Sequence, residues 1–485
     1  MARRLLFLHV SYVASAGYLT EALFVLRGLV AAHLLGPSAF GVWSTIRLVL
    51  MFSAYTDAGS NAAMVQSSPQ AEGAGSCKRA DAHRRVASAV TLTGACLAGG
   101  AVALLFGGWL PGEGARHWWW LVAVLVVAQQ VVRFYTDALI SQRRFGWVAV
   151  VGSGSAMLST LGCIVGAWTL GLDGFLLGMI MAYLLTILVF LLVGPGFPLP
   201  AWRFRHAQRL IRIGWPIVLT QALLILLWNV DKLMLWMLSS SEQLGIYAIQ
   251  SYLAVMVMLL PAAVAGVSLP HLRLRLGQAR DASAARPYLF EGTQMLAYLS
   301  LPVIGLGFLL LHLPIRWLLA DYAEAIAPGR VMILASFPST VAALSGMVLI
   351  ALSHHGRLAV IRMVSVGVSA GGAAGVLLAG GGLVGLAFAV SAGFVVHAVL
   401  AIGLALRVTG KAQGEAVSLL ASVVGPYLIL LVVLPGLLHW VPDRPADLVE
   451  DLALTATRCG VLLLLLAPLA WHAWRTIETP PLTSQ

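Results

Sequence analysis

The sequence predicts an all-α polytopic membrane protein of about fourteen transmembrane helices. They form two six-helix lobes with pseudo-two-fold symmetry plus two C-terminal helices. Three observations carry this reading. The 485-residue chain is 60% hydrophobic and 10% charged, whereas a soluble domain carries roughly 25% charged residues. Apolar runs long enough to cross a bilayer recur along the whole length. The segment from Leu26 to Trp43 is built again 204 positions later, from Val230 to Tyr247. In that alignment Gly41 falls on Gly245, Trp43 on Tyr247 and Arg27 on Asp231. Each copy is an apolar helix carrying a charge at the matched position, a short polar turn, and Gly-x-aromatic opening the next helix. Two similar halves are a common build of secondary transporters.

The spans are expected at 8–34, 38–64, 87–109, 118–142, 146–170 and 175–195, then 213–238, 244–269, 288–312, 328–352, 358–379 and 384–406, then 416–440 and 453–473. This gives an N-terminal lobe over 1–195, a linker over 196–212, a C-terminal lobe over 213–406, and helices 13 and 14 with a tail over 407–485. Span one follows Arg3 and Arg4 but is too long for a signal-peptide core, so it is expected to be retained. Turns are expected at Pro37, Gly171–Gly174 and Gly380–Leu383, and longer polar loops over 66–85 and 314–327. Gly99, Gly100, Gly152, Gly154, Gly371, Gly372 and Gly375 are expected where helices pack closely.

The net charge of +11 does not indicate nucleic acid, because it is concentrated in alternate loops. One set holds Lys78, Arg79, Arg84, Arg85, Arg143, Arg144, Arg203, Arg205, Arg209, Arg212, Arg273, Arg275, Arg280, Arg286, Arg357, Arg407 and Lys411. The other holds little beyond Arg116, Arg316 and Arg444. By the positive-inside rule both termini face the cytoplasm.

A charge at the bilayer centre costs about 2.5–3.5 kcal/mol on insertion scales, so such residues face a cavity or a partner. Arg27 and Arg47 fall at similar depth on spans one and two. Two guanidiniums at one level suit an anionic group, which Arg binds in a bidentate fork; the plain alternative is snorkelling to the headgroups. Arg133 and Asp137 share a helix face at i, i+4, as an internal ion pair or a substrate contact. Asp231 and Lys232 are adjacent, point about 100° apart and are expected not to share a face. Asp231 is an inter-lobe charge that could pair with Arg27, and Lys232 a further substrate cation or a snorkelling side chain. Glu21 and Asp57 are acids at membrane depth, placed to carry a proton or sodium ion; Asp57 also suits a helix-end contact with Asn61. Snorkelling is expected for Arg330, Arg362 and Arg458.

Other chemistry is scarce. The cysteines Cys77, Cys96, Cys163 and Cys459 show no paired spacing, and Cys96 and Cys163 read as packing residues. The pair His354–His355 lacks a third metal ligand. The chain shows no phosphate-binding or dinucleotide-binding glycine motif, so no cofactor, metal or catalytic residue is expected. Trp118–Trp120 reads as an interfacial aromatic belt. The pattern is that of a secondary transporter and not an enzyme.

Two stretches carry a family likeness. The first is Arg27-x3-Ala31-x3-Leu35-Gly36-Pro37-x2-Phe40-Gly41-x-Trp43. The second is Gly214-Trp215-Pro216 leading to Asp231 and Gly245-x-Tyr247. With the span count they resemble the polysaccharide transporter family, which includes the O-antigen flippases, of the multidrug/oligosaccharidyl-lipid/polysaccharide exporter superfamily. The resemblance implies alternating access around a central cationic cavity in the bacterial inner membrane. It implies as substrate an oligosaccharide on undecaprenyl pyrophosphate, for exopolysaccharide or O-antigen synthesis, handed on to polysaccharide assembly proteins. It supports Arg27 as a cavity cation. A cation-coupled multidrug exporter and a membrane polymerase or ligase are the alternatives. The short outer loops leave little room for a polymerase or ligase site.

Overall fold

A computed structural model of the chain describes residues 2–109, 116–193, 198–252, 281–410, 413–440 and 447–478, with the single positions 196 and 272. Among these residues the regular structure is helical, and eleven stretches are long and apolar enough to cross a membrane. Two of those stretches, Leu19–Ser53 and Phe145–Leu192, each run across the turn between two of the expected spans. The chain turns within them at Gly36 (φ 71°) and Gly171 (φ 61°), a left-handed conformation that glycine adopts at little cost. Most of span eight, Pro261, Arg273, Arg275, Arg280, Lys411 and Arg444 lie outside the described residues.

The chain divides into two compact units, Met1–Ala222 and Leu223–Gln485. The first holds α1 (Ala2–Ser53), α2 (Ser60–Gly73), α3 (Cys77–Trp109), α4 (Arg116–Ser141), α5 (Phe145–Leu192) and the first part of α6 (Phe204–Leu238). Within it α1 packs on α5, α3 on α4, and α2 on α3 and α4. Lipid tails are as apolar as leucine, so close packing, not exclusion of water, must hold these helices. The arms of α5 meet backbone to backbone. A Cβ at Gly162 would lie 2.8 Å from the Gly178 carbonyl oxygen, and Gly166 and Gly174 face each other in the same way. These four glycines, with Gly94, Gly59 and Gly214, make the tight contacts. Of those expected from sequence, Gly99 and Gly372 pack against neighbours, but Gly100, Gly154, Gly371 and Gly375 have nothing within 4 Å. Trp43 sits 4.6 Å, centroid to centroid, from Phe175 and fastens the second arm of α1 to α5.

The second unit continues through a helix over 241–252 (α7), α8 (Arg286–Leu310), α9 (His312–Leu318), α10 (Ile326–Ala351), α11 (His355–Leu378), α12 (Leu383–Val408), α13 (Gln413–Trp440) and α14 (Leu448–Glu478). Here α10 packs on α8 and α12, and α13 and α14 both pack on α8. Asp451 of α14 accepts from Trp317 Nε1 at 2.8 Å and lies 3.0 Å from His312 Nε2. The repeat is visible locally in each unit: a helix, a tight turn, then a helix whose aromatic, Trp43 or Tyr247, is buried.

Several expectations are corrected. Span two is not one helix: α1 ends at Ser53 and α2 begins at Ser60. The expected loop over 66–85 is mostly helical, because α2 runs to Gly73 and α3 starts at Cys77. The loop after Pro314 is likewise helical, through α9 and a 3-10 turn over Ala320–Ala325. Arg362 and Arg458 are 4% and 2% exposed, so they are buried in protein and do not snorkel. Trp119 is buried, Trp118 donates to Asp173, and Trp120 alone of the three is well exposed. Cys163 is buried as expected, but Cys96 is exposed.

Candidate functional site

The interruption between α1 and α2 lies in an apolar stretch where hydropathy alone places one helix. Residues 54–59 form turns, with Ala58 at φ 48° and Gly59 at φ 87°. Backbone leaving a helix inside a membrane exposes carbonyl and amide groups, which are tolerated only if buried in protein or lining a cavity. Several of the exposed groups here find partners. At the C-terminal end of α1, Arg133 Nη1 donates to the Ala54 carbonyl at 2.9 Å, and Gln130 donates to the Ser53 carbonyl and, at 3.1 Å, to Thr56 Oγ1. At the N-terminal end of α2, the Asp57 carboxylate accepts from the amides of Gly59 at 3.2 Å and Asn61 at 3.1 Å. The signs agree with the helix dipoles, a cation at carbonyls and an anion at amides.

Neighbouring helices approach the break through residues without side chains. Gly94 of α3 lies on the Thr56 carbonyl, and a Cβ on Gly59 would stand 2.5 Å from the Gly214 carbonyl carbon. The motif Gly214-Trp215-Pro216 therefore includes a backbone contact with the broken helix. Thr91 Oγ1 donates to Asn61 Oδ1 at 2.8 Å. Arg133 also lies 5.7 Å over the Tyr55 ring, and its charge and that of Asp57 both act on Asp137. Arg133, Asp137 and Asp57 are thus one group beside the break.

The remaining predicted charges of this unit lie on the two arms of α1. Arg27 Nη1 donates to Ser159 Oγ of α5 at 3.2 Å, and the guanidinium sits 4.7 Å over the Phe24 ring. Thr160 anchors the same arm by donating to the Leu23 carbonyl at 3.2 Å. Arg47 and Glu21 lie within electrostatic reach of each other. Glu21 is therefore not an isolated acid, and the two arginines are drawn to different neighbours: Arg27 to a hydroxyl and a ring, Arg47 to a carboxylate.

Residues 30–328 match the family described as polysaccharide biosynthesis protein. The chain belongs to this family. No curated protein sequence matches it. Among solved structures it is similar to the lipid II flippase MurJ in an inward closed conformation, at 14% identity and TM-score 0.69, covering 95% of this chain and 98% of that one. It is also similar to MATE in complex with MaD5, at 12% identity and TM-score 0.61, covering 82% and 95%. A MOP superfamily transporter from Pyrococcus furiosus, reported with a binding pocket of reversed polarity, matches at 11% identity and TM-score 0.58, covering 83% and 95%. At these identities the likeness is one of fold, the all-helical fold of MOP transporters.

In the second unit of this polysaccharide biosynthesis family member, Asp231 is 0% exposed and Lys232 is 8% exposed. Lys232 Nζ reaches Asp231 Oδ1 at 3.2 Å, against the expectation that neighbours on a helix cannot meet. The Cα–Cβ directions do diverge, but the four-carbon lysine stem bends back far enough for its ammonium to return. Its Nζ also lies 3.4 Å from the Trp228 carbonyl. Lys232 is therefore spent on an internal pair. Sequence reasoning missed Thr56, Gly59, Gly94 and Gln130 as parts of the break, and held Gly214 only as part of a family motif. One signal was present: Asp57-Ala58-Gly59-Ser60-Asn61 is a run of turn formers inside an apolar segment.

Proposed function

We propose that the protein is a flippase that moves a lipid-linked oligosaccharide across the bacterial inner membrane by alternating access, for exopolysaccharide or O-antigen synthesis. One observation carries the reading. Arg27 lies in an apolar helix, and the partners its guanidinium meets are neutral, the Ser159 hydroxyl and the Phe24 ring. Among the described residues no acid pairs with it, and a guanidinium so placed favours phosphate oxygens. Arg27 would hold the undecaprenyl pyrophosphate group. Arg47 would join it when Glu21 gives way, and the sugar would meet the polar surface near Arg133. The acids Glu21, Asp57, Asp137 and Asp231 are the positions at which a proton or sodium ion could be coupled. Family membership and the MurJ-like fold support this reading.

The MATE-like fold favours a second reading, a cation-coupled multidrug exporter. Lipid analysis of cells separates the two. Arg27→Ala at normal abundance should abolish export and leave a complete polyprenyl-linked repeat unit on the inner leaflet, with loss of surface polymer. Export at the wild-type level by that variant would refute the Arg27 site. Unchanged lipid intermediates in a deletion strain, together with drug resistance on overexpression, would establish the exporter instead.

A further inference from the structure

A second cluster of ionisable side chains lies in the first unit at its basic-loop end, away from the helix break. Helices α3 and α6 both begin there. The His83 and His206 rings meet edge to face with centroids 5.0 Å apart. Ser67 Oγ lies 3.2 Å from His83 Nδ1 and donates its proton to the Ala63 carbonyl at 2.6 Å. A His83 ring protonated on Nδ1 would donate to Ser67 and leave Nε2 as the free ring nitrogen. His206 Nε2 is buried and has no hydrogen-bond partner.

Arginines surround the two rings. Arg79 is four residues before His83 on α3 and Arg209 three residues after His206 on α6, so helical spacing sets them on the histidine faces, and Arg203 stands just before the first residue of α6. The charges of Arg79, Arg84 and Arg209 reach His83, and those of Arg203 and Arg209 reach His206. Arg79, Arg203 and Arg209 are exposed and therefore accessible. The acids nearby, Glu72 and Asp81, are both bound to Arg84.

Neither helix has an acidic residue in its first turn. Arginine occupies or adjoins that position in each. A cation at a helix N-terminus opposes the dipole, and the same backbone amides bind oxyanions. The rule that basic residues collect on one side of a membrane explains a count of arginines. It does not explain two imidazoles in contact beneath them.

We propose that Arg79, His83, Arg203, His206 and Arg209 form a binding site for a phosphate group, carried by an anionic lipid headgroup or by free phosphate. A bound oxyanion supplies the negative charge that lets the rings protonate, turning their free nitrogens into donors. The linker is already fastened beside this site: Arg85 Nε donates to the Leu199 carbonyl at 3.2 Å and the Ala201 amide to the Arg85 carbonyl at 3.0 Å. Occupancy would steady the start of α6. This site is independent of the transport reading.

The test uses the full chain in nanodiscs, with two probes. Inorganic phosphate is titrated by calorimetry into phosphatidylcholine discs, and phosphatidylglycerol retention is measured by native mass spectrometry. Binding of either probe, weakened about tenfold in Arg203→Ala/Arg209→Ala and less than twofold in Arg205→Ala/Arg212→Ala, supports the site. The probe that binds identifies the source of the phosphate. Equal weakening in the two double variants would show only diffuse attraction to basic loops and would overturn it, as would failure of both probes to bind. If the arginine variant does not fold, His83→Gln/His206→Gln replaces it. Loss of affinity there supports the proposal, and unchanged affinity overturns it.

Discussion

Replacing Gly59 by alanine tests whether the helix break is built as described. Two effects oppose the methyl group. Gly59 has φ 87°, and a left-handed conformation costs a side chain about 1–2 kcal/mol. Its Cβ would also stand 2.5 Å from Gly214 C, 2.7 Å from Gly214 O and 2.8 Å from Trp215 N. All three are backbone atoms of α6, which cannot rotate aside as a side-chain tip can. Overpacking of this kind costs typically about 1–3 kcal/mol. The total expected loss is about 2–5 kcal/mol. Gly75→Ala separates the terms, because Gly75, in the left-handed cap that ends α2, has a similar φ of 74° but nothing within 4 Å; it should lose only the conformational part. For a cooperative unit of this size 1 kcal/mol corresponds to about 2–4 °C. Thermal unfolding of the purified protein in detergent should therefore place Gly59→Ala about 2–12 °C below Gly75→Ala. Equal midpoints for the two variants would refute the backbone contact between the break and α6.

Two further outcomes follow from buried polar pairs. Lys232→Met leaves the fully buried Asp231 without its ammonium and should cost about 3–5 kcal/mol. Adding Asp231→Asn should recover most of that loss, and a double variant no more stable than Lys232→Met would show that the pair is not what holds the region. Asp451→Ala removes the acceptor of the partly exposed Trp317 Nε1 and leaves buried His312 Nε2 only Thr455 Oγ1 at 3.5 Å, and a buried polar group left unmet costs about 1–3 kcal/mol. Denaturation midpoints should fall accordingly, and an unchanged midpoint would remove the clamp between α14 and the α8–α9 corner.

The spans, their order and the turns at Gly36 and Gly171 were legible because hydropathy and glycine placement report on them directly. The break at Ser53–Ser60 was not. Window averages measure how readily side chains enter lipid, and around Asp57 the apolar residues outweigh the polar ones. What decides the break is whether backbone groups find partners, and those partners, Gln130, Arg133 and Thr56, come together only after folding. The Asp231–Lys232 pair was missed because a helical wheel records where Cβ points and not how far a flexible stem returns. Arg362 was assigned to the surface by its position near a helix end, whereas α10 and α12 cover it: a Cβ on Gly346 would stand 3.6 Å from Arg362 Nη2. Arg27 and Arg47 were read from depth as a pair of cations for one anionic group, but sequence could not show that Arg27 meets a hydroxyl while Arg47 lies near a carboxylate.

The bond between His312 and Asp451 joins residues 139 positions apart. Ribosomes add about 5–20 residues per second, so His312 emerges roughly 7–28 s before the carboxylate that engages it. During that interval the α8–α9 corner holds a buried imidazole and an indole N–H with their acceptor still unmade. The first unit faces no such wait for α14. Its broken helix, with Asp57, Gln130 and Arg133, can close once α6 has been inserted. Biogenesis should therefore run in two stages, with the second unit exposed to membrane quality control for longer. Lesions in α14 should then act first on how much protein accumulates, before they act on how fast each molecule works.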